Sequence, residues 1–198
     1  MNKCIVLFVE GQTEVEFYNK IISYIREQLP NKKFDVKINC INVEGVGGFK
    51  KEALKKFKKE IKIKYKNHQF IIFCCLDSDV FEGSQQPPIN LNKIQKDLKI
   101  NGANKVFIIQ AVHTIEDWFL IDIESILSFL KLKPTTNING KNGLDKMKTI
   151  YKKANKTYIK GGNTKDFIEK LNINKIIQNE EVKEKLKPLF DELNCKFL

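Results

Sequence analysis

Arginine is nearly missing from this chain: Arg26 is the only one, so almost all of the 35 basic residues are lysine. Bidentate reading of guanine edges needs the planar guanidinium fork, so any grip on nucleic acid would be mostly phosphate contact. Long apolar runs are missing too. No stretch approaches the roughly 20 residues of a membrane span, and the opening MNKCIVLFVEGQ has too short an apolar run for a secretory signal. The five cysteines, Cys4, Cys40, Cys74, Cys75 and Cys195, are odd in number and lack the paired C-x-x-C spacing of a zinc site. They read as small core residues of a reducing cytoplasm, with adjacent Cys74 and Cys75 pointing to opposite faces of a strand. Neither the Walker A loop nor the dinucleotide fingerprint occurs, and no internal repeat or low-complexity tract stands out. A soluble cytoplasmic protein with no membrane partner is the expectation.

What the chain does have is enough length for one good core, at 198 residues and 42% hydrophobic content, and a formal charge of +11 with pI near 9.3. That charge favours polyanionic partners through counterion release, although abundant Lys, Asn and Ile are also what an AT-rich genome produces. The first half alternates strand-like runs with helical patterns, the signature of an α/β fold with a parallel sheet. Strands are predicted at Ile5–Val9, Val36–Val43, Phe70–Leu76 and Lys105–Val112. FIIFCCL, the third of them, is continuously apolar, as suits a central strand covered on both faces.

Between the strands, Thr13 and Glu16 make a T-x-x-E capping box ahead of an apolar helical face of Tyr18, Ile21, Ile22, Ile25 and Leu29. Residues 49–66 place Leu54, Phe57 and Ile61 on one side and carry nine lysines against two glutamates, a local charge of 9 − 2 = +7. Those lysines either shield a core-facing stripe with their stems or face phosphates. Gly45, Gly47 and Gly48 just before them read as a tight strand-to-helix turn. GSQQPPINLN, residues 83–92, is the clearest loop and could shape a substrate entrance. A helix begun by Thr114 is predicted from His113 to Leu130. Residues 1–133 thus read as the core. Residues 134–198, loop-like to Asn142 and then helical with a last amphipathic segment at Val182–Leu193, read as an extension packed on it within one globular unit.

Ligand sites of doubly wound sheets form beyond the carboxyl ends of the strands. Glu10 ends the first predicted strand and Asp77 and Asp79 end the third. Strand spacing sends Asp77 and Asp79 to one side while Glu10 approaches from another strand. Close carboxylates repel and raise one another's pKa unless a cation neutralises them, and three hard oxygen donors suit magnesium or manganese. A metal so held polarises a phosphoryl oxygen and activates water, which matches phosphodiester chemistry.

FVEGQTEVEF followed by CLDSD resembles the TOPRIM domain of topoisomerases, primases and related nucleases. HTIEDWFLID at 113–122 and YIKGGNTKDF at 158–167 extend the likeness to small stand-alone TOPRIM effectors of bacterial phage defence, of the RloB and AriB type and related to the overcoming-lysogenisation-defect nucleases. The resemblance implies a Rossmann-like TOPRIM fold, a metal-dependent nuclease with Mg²⁺ (or Mn²⁺) held by Glu10, Asp77 and Asp79, and Glu14 supporting them from the first helix. It further implies Glu116 as a second acidic participant and Lys160 as a phosphate or transition-state contact. Nucleic acid is the implied substrate, RNA such as tRNA ahead of DNA, and an ABC-type ATPase the implied regulatory partner. A homodimer is admitted as well. A topoisomerase is disfavoured, because the chain is too short for the cleavage machinery.

Each of these residues also has a plainer account. Glu116 and Asp117 in a first helical turn offset the helix dipole, Trp118 and Phe119 pack, and His113 at a strand end and His68 in a polar turn are structural. Lys160 is then a loop lysine. Two other functions stay open at this point: a noncatalytic TOPRIM-like module docked on an ATPase, and a phosphohydrolase of small phosphate esters.

Overall fold

The computed structural model describes residues 2–28, 36–81, 88–162 and 164–194. In chain order the elements are β1 (Lys3–Val9), α1 (Gln12–Gln28), β2 (Val36–Asn42), α2 (Glu52–Lys56), a π-helical turn (Phe57–Ile61), α3 (Lys62–Lys64), β3 (Gln69–Asp77), α4 (Leu91–Ile100) and β4 (Lys105–Ala111). Six short helices follow: α5 (Ile115–Phe119), α6 (Ile123–Phe129), α7 (Gly143–Lys153), α8 (Lys165–Ile168), α9 (Ile173–Ile177) and α10 (Glu180–Glu192). The strands form one sheet of order β2-β1-β3-β4, parallel throughout. This is the α/β architecture with a parallel sheet that the alternating pattern predicts, and it is consistent with a Rossmann-like fold.

A parallel sheet hides both faces, and the side chains divide accordingly. Ile5, Leu7, Val9, Ile71, Phe73 and Cys75 enter one apolar cluster with α1 and the helices after β4. Cys4, Val6, Phe8, Ile72, Cys74 and Leu76 enter a second cluster with the α2–α3 segment and α4. Cys74 and Cys75 therefore do lie on opposite faces. Cys4, Cys40, Cys74 and Cys75 are free thiols, and Cys195 lies outside the described residues. Residues from Met147 to Leu193 share the first cluster with β1 and β3, so α7–α10 close over the sheet's own core. Among the described residues no helix is long and apolar enough to cross a membrane.

The lysine-rich crossover owes its shape to a drift problem. Ala53, Phe57 and Ile61 are all buried at intervals of four residues, a spacing that drifts about 40° per step around an α-helix of 3.6 residues per turn. The wider π-helical turn at Phe57–Ile61 rotates less per residue and brings Ile61 back over the sheet. Lysines at 50, 51, 55, 58, 59, 62, 64 and 66 stay exposed, while Lys56 reaches back to donate to the Asn42 carbonyl at 2.8 Å. Ahead of them, Gly45 has φ of 93°. A Cβ on Gly48 would stand 1.7 Å from the Val43 carbonyl oxygen, so the chain here turns as tightly as its glycines predict.

Three local expectations change. Thr13 does not cap α1 with Glu16: the helix already includes Gln12, and the buried Thr13 hydroxyl instead accepts from the Gly161 N–H at 2.9 Å. The helix expected from His113 to Leu130 is broken by a 3₁₀ turn at Leu120–Asp122 between α5 and α6. The break lets the buried Asp122 carboxylate accept from the Asn172 N–H at 2.7 Å, anchoring α9. Of the predicted loop GSQQPPINLN, residues 83–87 lie outside the described residues. Its last part belongs to α4, which starts at Leu91 with Asn90 as its cap, accepting from the Lys93 N–H at 2.9 Å. Leu29 of the predicted α1 face also lies outside the described residues.

The two neighbouring glycines of the turn give a sharp comparison. Gly48→Ala must displace backbone at Val43 and should cost at least about 2 kcal/mol, whereas Gly47, with open space at its Cβ, should accept alanine with a change within about 0.5 kcal/mol or a slight gain. Urea unfolding of the two variants measures both.

Candidate active site

β1 and β3 are hydrogen-bonded neighbours with Val9 paired to Cys75, so the residues just past Val9 come level with the end of β3. Glu10 and Asp77 meet there: Glu10 Oε1 accepts from the Asp77 N–H at 2.9 Å. The Asp77 side chain is buried and fixed on its other side by the Ile115 N–H, which donates to Oδ1 at 2.8 Å from the first residue of α5. Asp79 does not share the strand geometry expected of it. β3 ends at Asp77, and Asp79 opens a 3₁₀ turn (Asp79–Phe81), so strand alternation no longer sets its direction. Its N–H is tied to the His113 carbonyl at 3.0 Å, and its charge is felt at Glu10.

Two further acids close on this point. Glu14, in the first turn of α1, is 3% exposed and Glu116 in α5 is fully buried. A Cβ on Gly11 would lie 3.0 Å from Glu14 Oε2, so glycine after Glu10 leaves the room in which the Glu14 carboxylate folds back. Asp117, beside Glu116, follows its plainer account: it accepts from the Thr114 N–H and hydroxyl and caps α5. Trp118 and Phe119 are buried in the first apolar cluster, as packing residues. His113 is exposed at the end of β4 with φ of 58°, its N–H donating to the Ser78 hydroxyl at 2.8 Å.

The cation among these acids is Lys160. Its ammonium donates to Asp77 Oδ2 and lies 3.4 Å from Glu14 Oε1 and 3.9 Å from Glu116 Oε2. The plainer account of Lys160 as an ordinary loop residue therefore fails, because its ammonium points inward. Two neighbours hold the segment. The buried Tyr158 hydroxyl donates to Glu116 Oε1 at 3.0 Å, and Gly161, at φ of 78°, donates its N–H to Thr13. Tyr158 and Thr13 escape sequence reasoning: nothing in Y-x-K-G-G or in a T-x-x-E pattern says that the two will clamp a lysine from either side.

The site is over-supplied with negative charge. Glu10, Glu14, Asp77 and Glu116 against Lys160 make −4 + 1 = −3 if all are ionised. Both oxygens of Glu14 and Oε2 of Glu116 are buried with no hydrogen-bond donor among the described residues. Burial pushes the Asp77 carboxyl up to about 7, and raises Glu10 and Glu116 above the ordinary carboxylate range, with Lys160 opposing in each case. Burial pulls on Lys160 in the opposite sense, but the charges of Asp77, Glu116 and Glu14 outweigh it and hold the ammonium protonated. Protons taken up on acidification therefore go to the carboxyls. As the site stands, no group of three or more His, Cys, Asp or Glu side chains among the described residues is arranged to hold a metal ion.

The sign of the pH effect follows. The Asp77 carboxyl binds its proton more tightly folded than unfolded, so stability falls as pH rises from about 4 to about 7, by up to about 1.4 kcal/mol per pH unit for one group. In chelator, Asp77→Asn should remove that contribution, and urea midpoints taken across this window should decline less steeply for the variant than for the parent. Comparison of the chain with protein-family models, curated proteins and solved structures returns no match, so the reading of this site rests on its geometry and on the sequence motifs.

Proposed function

We propose that this chain is a magnesium-dependent nuclease of the TOPRIM type, with manganese as the alternative ion, that hydrolyses phosphodiester bonds of nucleic acid, RNA such as tRNA ahead of DNA. In this reading it is the toxic effector of an antiphage defence system and is controlled by a partner ATPase. The observation that carries the chemical part is the meeting of Glu10 and Asp77 at the carboxyl edge of the sheet, where neighbouring strands deliver acids to one spot. The defence role and the ATPase rest on the likeness of EGQTE, HTIEDWFLID and YIKGGNTKDF to the small effectors.

The donor set fits a hard divalent ion. Every candidate ligand is a carboxylate oxygen, and three buried oxygens facing the same space, both of Glu14 and one of Glu116, have no hydrogen-bond donor among the described residues, a cost that a cation relieves. Glu10, Asp77 and Asp79 would hold the ion, with Glu14 and Glu116 facing the same space. When bound, the metal supplies polarisation of a phosphoryl oxygen, a water of lowered pKa and neutralisation of the leaving oxygen. The protein's own part is positioning. Asp77 is fixed by the Ile115 N–H, Glu10 by the Asp77 N–H, and Glu116 by Tyr158. Lys160, beside the acids, would offer its ammonium to an anionic oxygen of the substrate.

The polymer is a matter of surface charge. The Gly45 N–H donates to the Glu10 carbonyl at 2.7 Å, so the lysine-rich segment starts at the edge of the site. Lys50, Lys51, Lys55, Lys58 and Lys59 line a shallow depression with Leu54, a track for phosphates leading away from the carboxylates. One feature favours a second reading, the noncatalytic module docked on an ATPase: Lys160 already compensates part of the cluster's charge from within.

Purified protein and Glu10→Ala, incubated with Mg²⁺ or Mn²⁺ and labelled tRNA, single-stranded DNA and duplex DNA, test the proposal. Cleavage by the parent should fall about 100-fold or more in the variant, and equal cleavage by both would sink it. Substrate affinity should drop steeply with salt, and Lys58→Glu with Lys59→Glu should flatten that slope by roughly one unit or more. A salt-independent affinity would point to the phosphohydrolase of small esters instead.

A further inference from the structure

We infer that Glu14, Asp77 and Glu116 form a cation-exchange site in which the Lys160 ammonium is the resident cation and a divalent ion enters only by displacing it. The inference rests on the reading of the site as a metal centre and goes beyond it in adding Glu14 and Glu116 to the ligands and in naming the competitor.

The geometry suits Lys160 to one of its partners and not to the others. The ammonium makes a close hydrogen bond to Asp77, yet stands 3.4 Å from Glu14 Oε1 and 3.9 Å from Glu116 Oε2, and neither contact counts as a hydrogen bond to those oxygens. An ammonium has three donors on one tetrahedral head, and here they reach one acid oxygen at hydrogen-bond distance and leave three others, from α1 and α5, with no donor among the described residues. A magnesium ion takes six oxygens at about 2.0–2.1 Å. It would answer the three oxygens that have no hydrogen-bond donor among the described residues, all of them buried and belonging to residues at most 3% exposed.

Both cations cannot be held together. Asp77 Oδ2 is the oxygen that Lys160 occupies, and it is also the one that faces Glu14 and Glu116 across the ammonium. A divalent ion bound there would face a positive charge at contact distance. The carboxylates stand around an ammonium and form no metal-ready group among the described residues. Exit is open to the lysine. Its side chain is 30% exposed and follows Ile159, itself 64% exposed, so the ammonium can swing into solvent while Tyr158 and Gly161 keep their anchors. The exchange thus taxes metal affinity by the fraction of molecules in which the lysine is out. Any contact that draws Lys160 outward, such as a substrate phosphate, raises that fraction and couples metal uptake to substrate.

Two measurements test this. In the parent, Lys160 acylation by a soluble amine reagent, read by mass spectrometry against the other lysines, should rise about tenfold on saturation with Mg²⁺; an unchanged or reduced rate at saturation overturns the exchange. By calorimetry, Lys160→Met should bind Mn²⁺ about tenfold or more tightly than the parent, and Glu14→Gln added to that variant should undo the gain. Equal or weaker binding by Lys160→Met overturns the exchange while leaving the nuclease reading intact. Absence of Mn²⁺ binding in both proteins overturns the two together. If Lys160→Met does not fold, the labelling result in the parent decides alone.

Discussion

Uncompensated negative charge at the carboxyl edge of the sheet is the constraint to which the rest of this molecule answers. At an effective dielectric near 20, two unit charges 4 Å apart interact by about 4 kcal/mol, whether they attract or repel. One ammonium among Glu14, Asp77 and Glu116, with Glu10 close by, therefore offsets only part of the mutual repulsion, and burial of the acids adds to the cost. A cluster in this position can shed charge in two ways. It binds protons, which is why burial brings Asp77 to about 7, or it binds more positive charge.

The fold creates this tension through its most rigid part. β1 and β3 are the two inner strands, each with neighbours on both sides and an almost continuously buried sequence. Their register cannot slip by one residue without sending the side chains of two apolar clusters to the wrong faces. Glu10 and Asp77 are thus brought together by the packing of Val9, Cys75 and their neighbours, and the stability of the sheet holds the acids where they are costly. The same logic puts Glu14 into the cluster: Phe17, Ile21 and Ile25 seat α1 on the sheet, and that seating turns the first helical turn over the strand ends.

Much of this was legible in the sequence, for a reason that also marks the limit. Strands buried on both faces announce themselves as apolar runs, so FIIFCCL and its counterparts give the sheet, and the position of an acid at the end of such a run gives Glu10 and Asp77. Asp79 was harder, since period-two reasoning holds only while the strand continues and β3 stops at Asp77. Thr13 misled because a hydroxyl ahead of a helix has a local use, as a cap, that sequence can score, and a distant use, as the acceptor for Gly161, that it cannot. The break at Leu120–Asp122 is of the same kind. It serves the Asn172 N–H fifty residues on, and local periodicity contains no trace of that partner.

The segment from Tyr158 to Gly161 shows what the helices after β4 contribute to the site. They would be needed for the core in any case, since Phe167, Ile176, Leu186 and Leu189 cover a sheet face that α1 alone leaves open. The turn between α7 and α8 also carries the only positive charge among the described residues that reaches Glu14, Asp77 and Glu116 together. The anchors at either side of Lys160 run to α5 through Glu116 and to α1 through Thr13, so its backbone is pinned between the two helices that supply Glu14 and Glu116. Removing residues 134–198 would therefore do more than expose apolar surface. It would also take from Glu14, Asp77 and Glu116 the one ammonium among the described residues that reaches all three, leaving their mutual repulsion uncompensated from within. The acidic edge of the sheet and the C-terminal helices are in this sense one electrostatic unit, assembled from opposite ends of the chain.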